Sequence, residues 1–275
     1  MDGRARGIDV SHWDGLLDWA SIATNGIDFA IAKATDGTAN QAAGGAVDAQ
    51  FSNNWAGIAG AGLIRGAYHF IGPPQQTTPQ AQWNDDIHRQ VDLFLATIGA
   101  PQPGDLPPTL DIEASTGSTL AYWQNLILTD RGSVLAIVRE FIDYTTAQLG
   151  GIQPILYAGD LWRNYLGDPD PAADNLPYAG YPLWQPMYRT GISPPAGNNT
   201  AGQATSFNDY SAHLDGANPA HVPKVWGGPG SASWTIWQFS EFGAFPGQTA
   251  TFDLNVFNGT PAALKAACIP APADN

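Results

Sequence analysis

Short apolar runs that are typical of β-strands recur eight times along the chain. Between the earlier runs lie longer segments with apolar residues at helical spacing, at residues 48–61, 83–98 and about 132–149. This alternation predicts parallel strands joined by crossover helices, and eight strands is the number that closes an α/β barrel. The eight runs are residues 7–10, 29–34, 64–70, 109–113, 154–158, 182–184, 234–239 and 252–257.

The helical pattern weakens in the second half of the chain. Residues 189–233 are rich in Gly, Pro, Asn and Ser and contain no convincing amphipathic segment, so we expect a long loop excursion there. The last strands would then be joined without full helices, and residues 262–267 would form a short closing helix. One barrel uses nearly all of the 275 residues, and no linker divides them. We therefore predict a single barrel over residues 1–269 and a tail over residues 270–275.

Acidic residues stand in three of the predicted strands: Asp9 in the first, Asp111 and Glu113 in the fourth, and Asp253 in the last. In a parallel barrel, chemistry takes place at the C-terminal ends of the strands. The period of two places Asp111 and Glu113 on one face of their strand, with apolar residues on the other. Two such carboxylates are a common arrangement for breaking a glycosidic bond, because like charge and burial raise one pKa and leave a proton to donate. The alternative is a surface strand end with solvated acids.

The chain is also rich in aromatic residues, including ten Trp. Aromatic rings can stack on sugar faces, and they can equally pack inside a barrel. His69 is more readily explained as a structural residue than as a catalyst, and Lys33 as a member of an ion pair rather than a Schiff-base lysine. The ring-bearing candidates for substrate contact at the strand ends are Tyr68, Phe70, Tyr157, Trp184 and Trp237.

Composition excludes several classes of function. Eleven basic and 25 acidic residues give a net charge of −14, which argues against nucleic acid or an anionic membrane as a partner. The single cysteine, Cys268, forbids an internal disulfide, and the five histidines have no ligand spacing, so we expect no metal. No phosphate-binding glycine motif indicates a cofactor. We find no run of about 18 apolar residues and no signal peptide.

A series of motifs follows the same order as the strands between residues 7 and 257. It includes Gly7-Ile8-Asp9-Val10-Ser11, Gly66-Ala67-Tyr68-His69-Phe70, Leu110-Asp111-Ile112-Glu113, Trp237-Gln238-Phe239 and Asp253-Leu254-Asn255. In this order the motifs resemble those of glycoside hydrolase family 25, the Chalaropsis-type lysozymes. The resemblance implies a modified TIM-like α/β barrel with about five β/α units, followed by three strands with little intervening helix.

The resemblance also implies hydrolysis of the β-1,4 bond between N-acetylmuramic acid and N-acetylglucosamine in peptidoglycan. Glu113 matches the family's catalytic acid, and Asp9, Asp111 and Asp253 match its other active-site carboxylates. We expect Asp111 to stabilise developing positive charge and to orient the N-acetyl group of the sugar. That group could attack as an internal nucleophile, or water could attack with Asp9 or Asp253 as base. The expected partner is bacterial peptidoglycan, the site of action the bacterial cell wall after secretion or phage release, and the expected state a monomer.

The chain departs from the family in three places. Asp36 stands where Glu is usual, Asp14 stands where Gln is frequent, and the excursion over residues 189–233 is longer than usual. Two alternatives stay open. A family 18 chitinase-like glycosidase would carry an acid at the position of Thr109, and an inactive cell-wall-binding barrel would have lost a catalytic carboxylate.

Overall fold

The computed structural model describes residues 3–195, 197–208 and 221–271. This described part contains nine β-strands, and eight of them close into a barrel in the order β1-β2-β4-β5-β6-β7-β8-β9, with β9 pairing back to β1. The ninth, β3, pairs with the C-terminal end of β2 outside the barrel and was not predicted. The strands are β1 Arg6–Val10, β2 Phe29–Asp36, β3 Ala46–Val47, β4 Ile64–Phe70, β5 Thr109–Asp111, β6 Ile155–Tyr157, β7 Leu183–Pro186, β8 Ile236–Gly243 and β9 Phe252–Phe257.

Helices occupy the connections of the first half. The helices α1 to α4 follow β1, β3, β4 and β5, and a single π-helical turn, Leu161–Tyr165, follows β6. The modified TIM-like barrel with about five β/α units is therefore confirmed. The α-helices are α1 Trp19–Ala23, α2 Phe51–Gly60, α3 Trp83–Ile98, α4 Gly117–Gln148 and α5 Pro261–Ala267.

Helix α4 is longer than predicted because it consists of two helical segments joined at a kink. The backbone of Asp130 leaves the helical region, with φ −155° and ψ 75°. The Asp130 carboxylate then accepts a hydrogen bond from the backbone N–H of Ser133 at 3.0 Å. This side chain caps the start of the second segment, which is the part that apolar spacing predicts.

The last strand differs in direction from the parallel strands that the alternation of strands and helices predicts. The barrel strands β1, β2 and β4 to β8 are parallel to one another, whereas β9 is antiparallel to both β8 and β1. Only residues 244–251 separate β8 from β9. Two parallel strands need a crossover connection of a dozen or more residues. Because the connection between β8 and β9 is shorter than this, the two strands form an antiparallel hairpin.

The core has two layers. An outer layer packs helices α2 to α4 against the barrel, and its fully buried members include Phe94, Phe141 and Trp237. An inner layer fills the barrel, from Phe29 and Ile31 on β2 up to Tyr157 and Trp184. Leu264 of α5 and Cys268 belong to this inner layer, so the closing helix plugs the end of the barrel opposite the strand C-termini.

The excursion between β7 and β8 is long, as expected. Within its described residues it contains a 3₁₀ turn, Lys224–Trp226, and no α-helix, while residues 196 and 209–220 lie outside the described part. The chain is held as far as Ile269, which bonds to Asp105 by its backbone N–H at 2.9 Å. Since residues 272–275 lie outside the described part, the boundary of the tail stays a prediction. Among the described helices, none has the length and apolar character needed to cross a membrane.

Candidate active site

The barrel brings the four predicted acids to one cavity at its mouth. Asp9 lies near the end of β1, Asp111 ends β5, and Glu113 follows two residues later. Asp253 is the second residue of β9, and because this strand is antiparallel its beginning lies at the mouth, paired with Asp9. The four side chains line a cavity of about 240 Å³, which we call the acid cavity.

Asp9 and Asp253 form a hydrogen-bonded unit with two amides. Asp9 accepts hydrogen bonds from Asn255 Nδ2 at 2.6 Å and Gln238 Nε2 at 2.9 Å, and Gln238 Nε2 also lies 3.2 Å from Asp253 Oδ2. Burial raises the pKa of Asp9 to about 7. Burial, and then the charge of Asp9, raise the pKa of Asp253 well above its usual value. At neutral pH, this pair therefore retains a proton.

Asp111 and Glu113 have different surroundings. Asp111 is 6% exposed, and its Oδ1 atom has no hydrogen-bond partner among the described residues. Burial and the charge of Glu113 raise the pKa of Asp111 well above its usual value. Glu113 is half-buried, and burial, followed by the charges of Asp160 and Glu241, raises its pKa to about 8. Glu113 is thus protonated at neutral pH and can donate that proton.

A bulge in β2 places a cation among these acids. The pairing of β2 with β4 shifts at Ala34, so that Lys33 and Asp36 both face the mouth although they are three residues apart. Lys33 Nζ lies 2.5 Å from Asp36 Oδ2 and 4.6 Å from the centre of the Phe70 ring. The predicted ion pair of Lys33 is therefore present, and the charge of Lys33 lowers the pKa of Glu113 against the larger effect of burial.

Four of the five predicted aromatic residues line the acid cavity. The rings of Tyr157 and Trp184 meet edge to face, with centroids 4.8 Å apart. The two amides that bind Asp9 also bind the polar atoms of these rings. Tyr157 Oη donates to Gln238 Oε1 at 2.7 Å, and Trp184 Nε1 donates to Asn255 Oδ1 at 2.8 Å. The four residues are Tyr68, Phe70, Tyr157 and Trp184.

The fifth aromatic residue, Trp237, lies elsewhere. It is fully buried in the outer layer of the core, and its Nε1 atom donates to the backbone oxygen of Met187 at 2.9 Å. Alternation along β8 explains the difference, since consecutive residues face opposite sides of the sheet. Gln238, the next residue, faces the acid cavity instead. Trp237 therefore packs beneath the surface and does not line the cleft.

The cleft contains residues that the sequence did not single out as site residues. Trp13 is 84% exposed at the rim of the acid cavity, and Tyr188 donates from its hydroxyl to Gln238 Oε1 at 2.5 Å. Glu241 also reaches the cavity, beyond a second irregularity of strand pairing in β8. For Tyr188 the signal was its position just after a strand, whereas bulges leave no periodic signal that could have identified Glu241.

The cleft continues past Glu113 into a second cavity of about 340 Å³, which we call the side cavity. Glu113, Tyr157, Tyr188 and Glu241 line both cavities, so Glu113 lies where they meet. The wall of the side cavity includes Asp160, Arg163 and Asn164, which follow β6. The cleft is therefore long enough to extend to both sides of the acid.

His69 lies outside the cleft, on the outer face of β4. Its Nδ1 atom lies 2.7 Å from Thr35 Oγ1, and its Nε2 atom lies 3.2 Å from Gln90 Oε1. Burial lowers the pKa of His69 to about 4, so the ring is neutral at neutral pH. This environment is that of a structural residue. Within the described ranges, no three His, Cys, Asp or Glu side chains are grouped so as to hold a metal ion.

Comparison with known proteins gives matches at the level of a family. The model of glycosyl hydrolases family 25 matches residues 8–248. Lysozyme M1 from Streptomyces globisporus is 28% identical over 272 residues, which cover 95% of this chain and 70% of that protein. The N,O-diacetylmuramidase of a Chalaropsis species is 32% identical over 163 residues, covering 57% of this chain and 67% of that enzyme.

A solved structure agrees with these sequence matches. The bacterial lysozyme from Streptomyces coelicolor superimposes with a TM-score of 0.62 and 26% identity, and the alignment covers 98% of each chain. The likeness extends over the whole barrel, including the strands of the second half that lack helices.

Proposed function

Because the chain belongs to the glycosyl hydrolases of family 25, a family that includes lysozymes, we propose that it cleaves the β-1,4 bond between N-acetylmuramic acid and N-acetylglucosamine. The chain is a peptidoglycan hydrolase of the lysozyme type. The observation that carries it is the position of Glu113, close to Asp111 and buried enough to raise its pKa to about 8, in a cleft that continues on both sides of the acid.

Glu113 protonates the oxygen of the leaving sugar. A general acid must hold its proton at working pH and still reach the substrate. The raised pKa of Glu113, about 8, meets the first requirement, and its half-buried position between the two cavities meets the second. The scissile bond then lies over Glu113, with the muramic acid ring in the acid cavity and the leaving sugar in the side cavity.

Asp111 stabilises the positive charge that develops on the muramic acid ring and accepts a hydrogen bond from its acetamido N–H. The unpartnered Oδ1 atom of Asp111, buried in the acid cavity, supports this role, since a buried acceptor without a partner costs free energy until a ligand supplies the donor. An acetamido group held in this way has its oxygen free to attack the anomeric carbon. No covalent bond to the protein is then needed.

The alternative route uses water, with Asp9 or Asp253 as base. The hydrogen bonds around Asp9 and Asp253 favour the acetamido route, because Asp9 already accepts from two amides and the two carboxyl groups share a proton. Carboxylates in this state are poor bases for a water molecule. We propose that Asp9 and Asp253 position the sugar instead, through the hydroxyl groups that their oxygens can still bind.

The bond can be tested on purified bacterial peptidoglycan, with chitin as the comparison polymer. New reducing ends are reduced with borohydride, hydrolysed and identified. The expected result is muramitol from peptidoglycan and little release from chitin. Glucosaminitol from peptidoglycan would place the cut at the other glycosidic bond, and the absence of release from either polymer would indicate an inactive wall-binding barrel.

The attacking group can be tested by proton NMR of the first product formed. Attack by the acetamido group followed by water gives two inversions, so the initial product is the β-anomer. Direct attack by water gives the α-anomer first, and its appearance would refute the acetamido route. We further propose that the protein acts as a monomer at the bacterial cell wall, after secretion or phage release. Sedimentation of the purified protein tests the monomer.

A further inference from the structure

The side cavity contains an arginine in unusual surroundings. Arg163 lies in the π-helical turn after β6 and is half-buried. Its Nη1 atom donates to the backbone oxygen of Pro186 at 2.6 Å. Within the part of the chain that the structure describes, the Arg163 side chain makes no other hydrogen bond and no ion pair. Most of the donors of this guanidinium are therefore free to bind a ligand.

Other arginines of the chain are engaged in a different way. Arg65 contacts both oxygens of Asp105, at 2.7 and 3.1 Å, and Arg131 contacts both oxygens of Asp174 at the same two distances. In a protein with 25 acidic and 11 basic residues, a carboxylate partner is easily found. Among the described residues Arg163 has no carboxylate partner, although Asp160 and Glu241 line the same cavity. Arg163 therefore provides a positive charge in the wall of the cleft that no described carboxylate neutralises.

Arg163 also lies where two cavities meet. It lines the side cavity and a further cavity of about 190 Å³, which continues away from Glu113. Asp168 lines this further cavity, but its carboxylate accepts from the backbone N–H of Lys224 at 3.0 Å. The path from the acid cavity through the side cavity therefore reaches Arg163, on the side of the leaving sugar, before it continues into the further cavity.

From this arrangement we infer that Arg163 binds a carboxylate of the substrate on the leaving side of the scissile bond. The inference rests on the proposed function, since it uses the alternation of the glycan. The first leaving-side sugar is N-acetylglucosamine, which is neutral. The next is N-acetylmuramic acid, whose lactyl group ends in a carboxylate, or in an amide when a peptide bearing its own carboxylates is attached. A planar guanidinium with free donors matches a carboxylate in charge and geometry.

Two variants test the inference: Arg163→Gln, which removes the charge, and Arg163→Lys, which keeps it. Lys265→Gln is the matched control, because it removes one positive charge from an exposed position on α5, at the opposite end of the barrel. Thermal unfolding of each variant separates loss of the Pro186 hydrogen bond from loss of binding. The kinetic readout is kcat/KM and KM on three soluble glycans.

The first glycan keeps its peptides, the second has been stripped by an amidase to free the lactyl carboxylates, and the third is the stripped glycan converted to its neutral ethanolamide. We expect Arg163→Gln to lower kcat/KM about tenfold, mainly through KM, on at least one charged glycan. On the ethanolamide we expect less than about a twofold loss. Arg163→Lys should recover a substantial part of the loss, and Lys265→Gln should behave as wild type on all three.

The pattern of losses identifies the source of the carboxylate. A loss on the peptide-bearing glycan indicates the peptide, and a loss on the stripped glycan indicates the lactyl group. Equal losses on all three glycans would overturn the inference in favour of a structural role through Pro186, and no loss on any glycan would overturn it outright. Failure of the proposed function gives a different result, because the wild-type protein would then either cleave none of the three glycans or leave glucosaminitol in place of muramitol at the new reducing ends.

Discussion

Two sets of buried polar side chains lie on opposite faces of neighbouring strands, and they differ in how far their hydrogen bonds are satisfied. On the outer face, His69 contacts Thr35 and Gln90, and the Gln90 side chain exchanges two hydrogen bonds with the backbone of Gly72, at 2.8 and 3.0 Å. On the inner face, Asp9, Asp111 and Asp253 crowd together with raised pKa values, and Asp111 keeps an unpartnered oxygen.

The difference separates a structural polar cluster from a functional one. A satisfied network in a low-dielectric environment holds elements together, here α3 and the loop after β4 against the barrel. A cluster of buried carboxylates costs stability, because charges are desolvated and repel each other. Such a cost is commonly found where the same groups are needed for chemistry. The comparison predicts that substitutions on the inner face reduce activity, whereas substitutions on the outer face reduce stability.

The largest expected effect is that of Glu113→Gln. The amide keeps the shape of the side chain but has no acidic proton, so we expect kcat on peptidoglycan to fall by about a thousandfold. The unfolding free energy should change by less than about 1 kcal/mol, because Glu113 is already neutral at pH 7. Glu140→Gln, at a half-buried position on α4 where the carboxylate contacts His88, is the control for the same substitution outside the cleft. Turbidity clearing at near wild-type rate by the Glu113 variant would refute its role as the acid.

The next effect is that of Asp111→Asn. We expect kcat to fall about a hundredfold with a small change in KM, since the lost charge acts mainly in the transition state. Removing a desolvated carboxyl group from beside Glu113 should at the same time raise the unfolding free energy. Steady-state kinetics on soluble glycan and urea unfolding measure the two changes. A variant that loses activity and stability together would contradict the comparison.

The outer face is tested by Gln90→Leu. The substitution leaves the polar backbone atoms of Gly72 and the Nε2 atom of His69 buried without partners, so we expect a loss of about 2 kcal/mol in unfolding free energy. Activity at a temperature where the variant is folded should stay within about twofold of wild type. Gln148→Leu, at the exposed end of α4, is the control for adding a leucine. A loss of kcat in folded Gln90→Leu would mean that the two faces are coupled.

The period of two made much of the inner face predictable. Asp111 and Glu113 alternate with apolar residues that enter the outer core, and this pattern can be read in the sequence without further information. The same rule applied to β8 distinguishes Gln238 from Trp237, but only once the inward face of that strand is known. An apolar strand buried on both sides gives no such information. The prediction for Trp237 was wrong for this reason.

Other features depend on contacts between distant segments. The bulge at Ala34 that turns Lys33 and Asp36 toward the mouth appears as a register shift against β4, and a single strand carries no sign of it. The direction of β9 follows from a short connection, which could have been weighed against the expectation of parallel strands. The side cavity is formed by the segments at and after the ends of β5, β6 and β7 together with Glu241 within β8. No local pattern brings these four segments together.

The smallest expected effect is a change in how the free energy of unfolding depends on pH. It tests directly how far the buried carboxylates of the inner face reduce stability. The pKa of Asp9 is raised to about 7 and that of Asp253 is raised well above its ordinary value of 3.8. The folded state therefore binds more protons than the unfolded state, and the stability contributed by these groups, fully present below about pH 4, is lost as the pH rises through the folded pKa values.

We expect Asp253→Asn to reduce this loss, because it removes one titrating group and the repulsion that it exerts on Asp9. The fall in unfolding free energy between pH 5 and pH 8, measured with urea at each pH, should be smaller than in wild type by about 1–2 kcal/mol. Asp85→Asn, an exposed position on α3, removes the same charge and should leave the fall unchanged. If both variants flatten the pH dependence equally, the effect arises from the net charge of −14 rather than from the crowding of Asp9 and Asp253 at the barrel mouth.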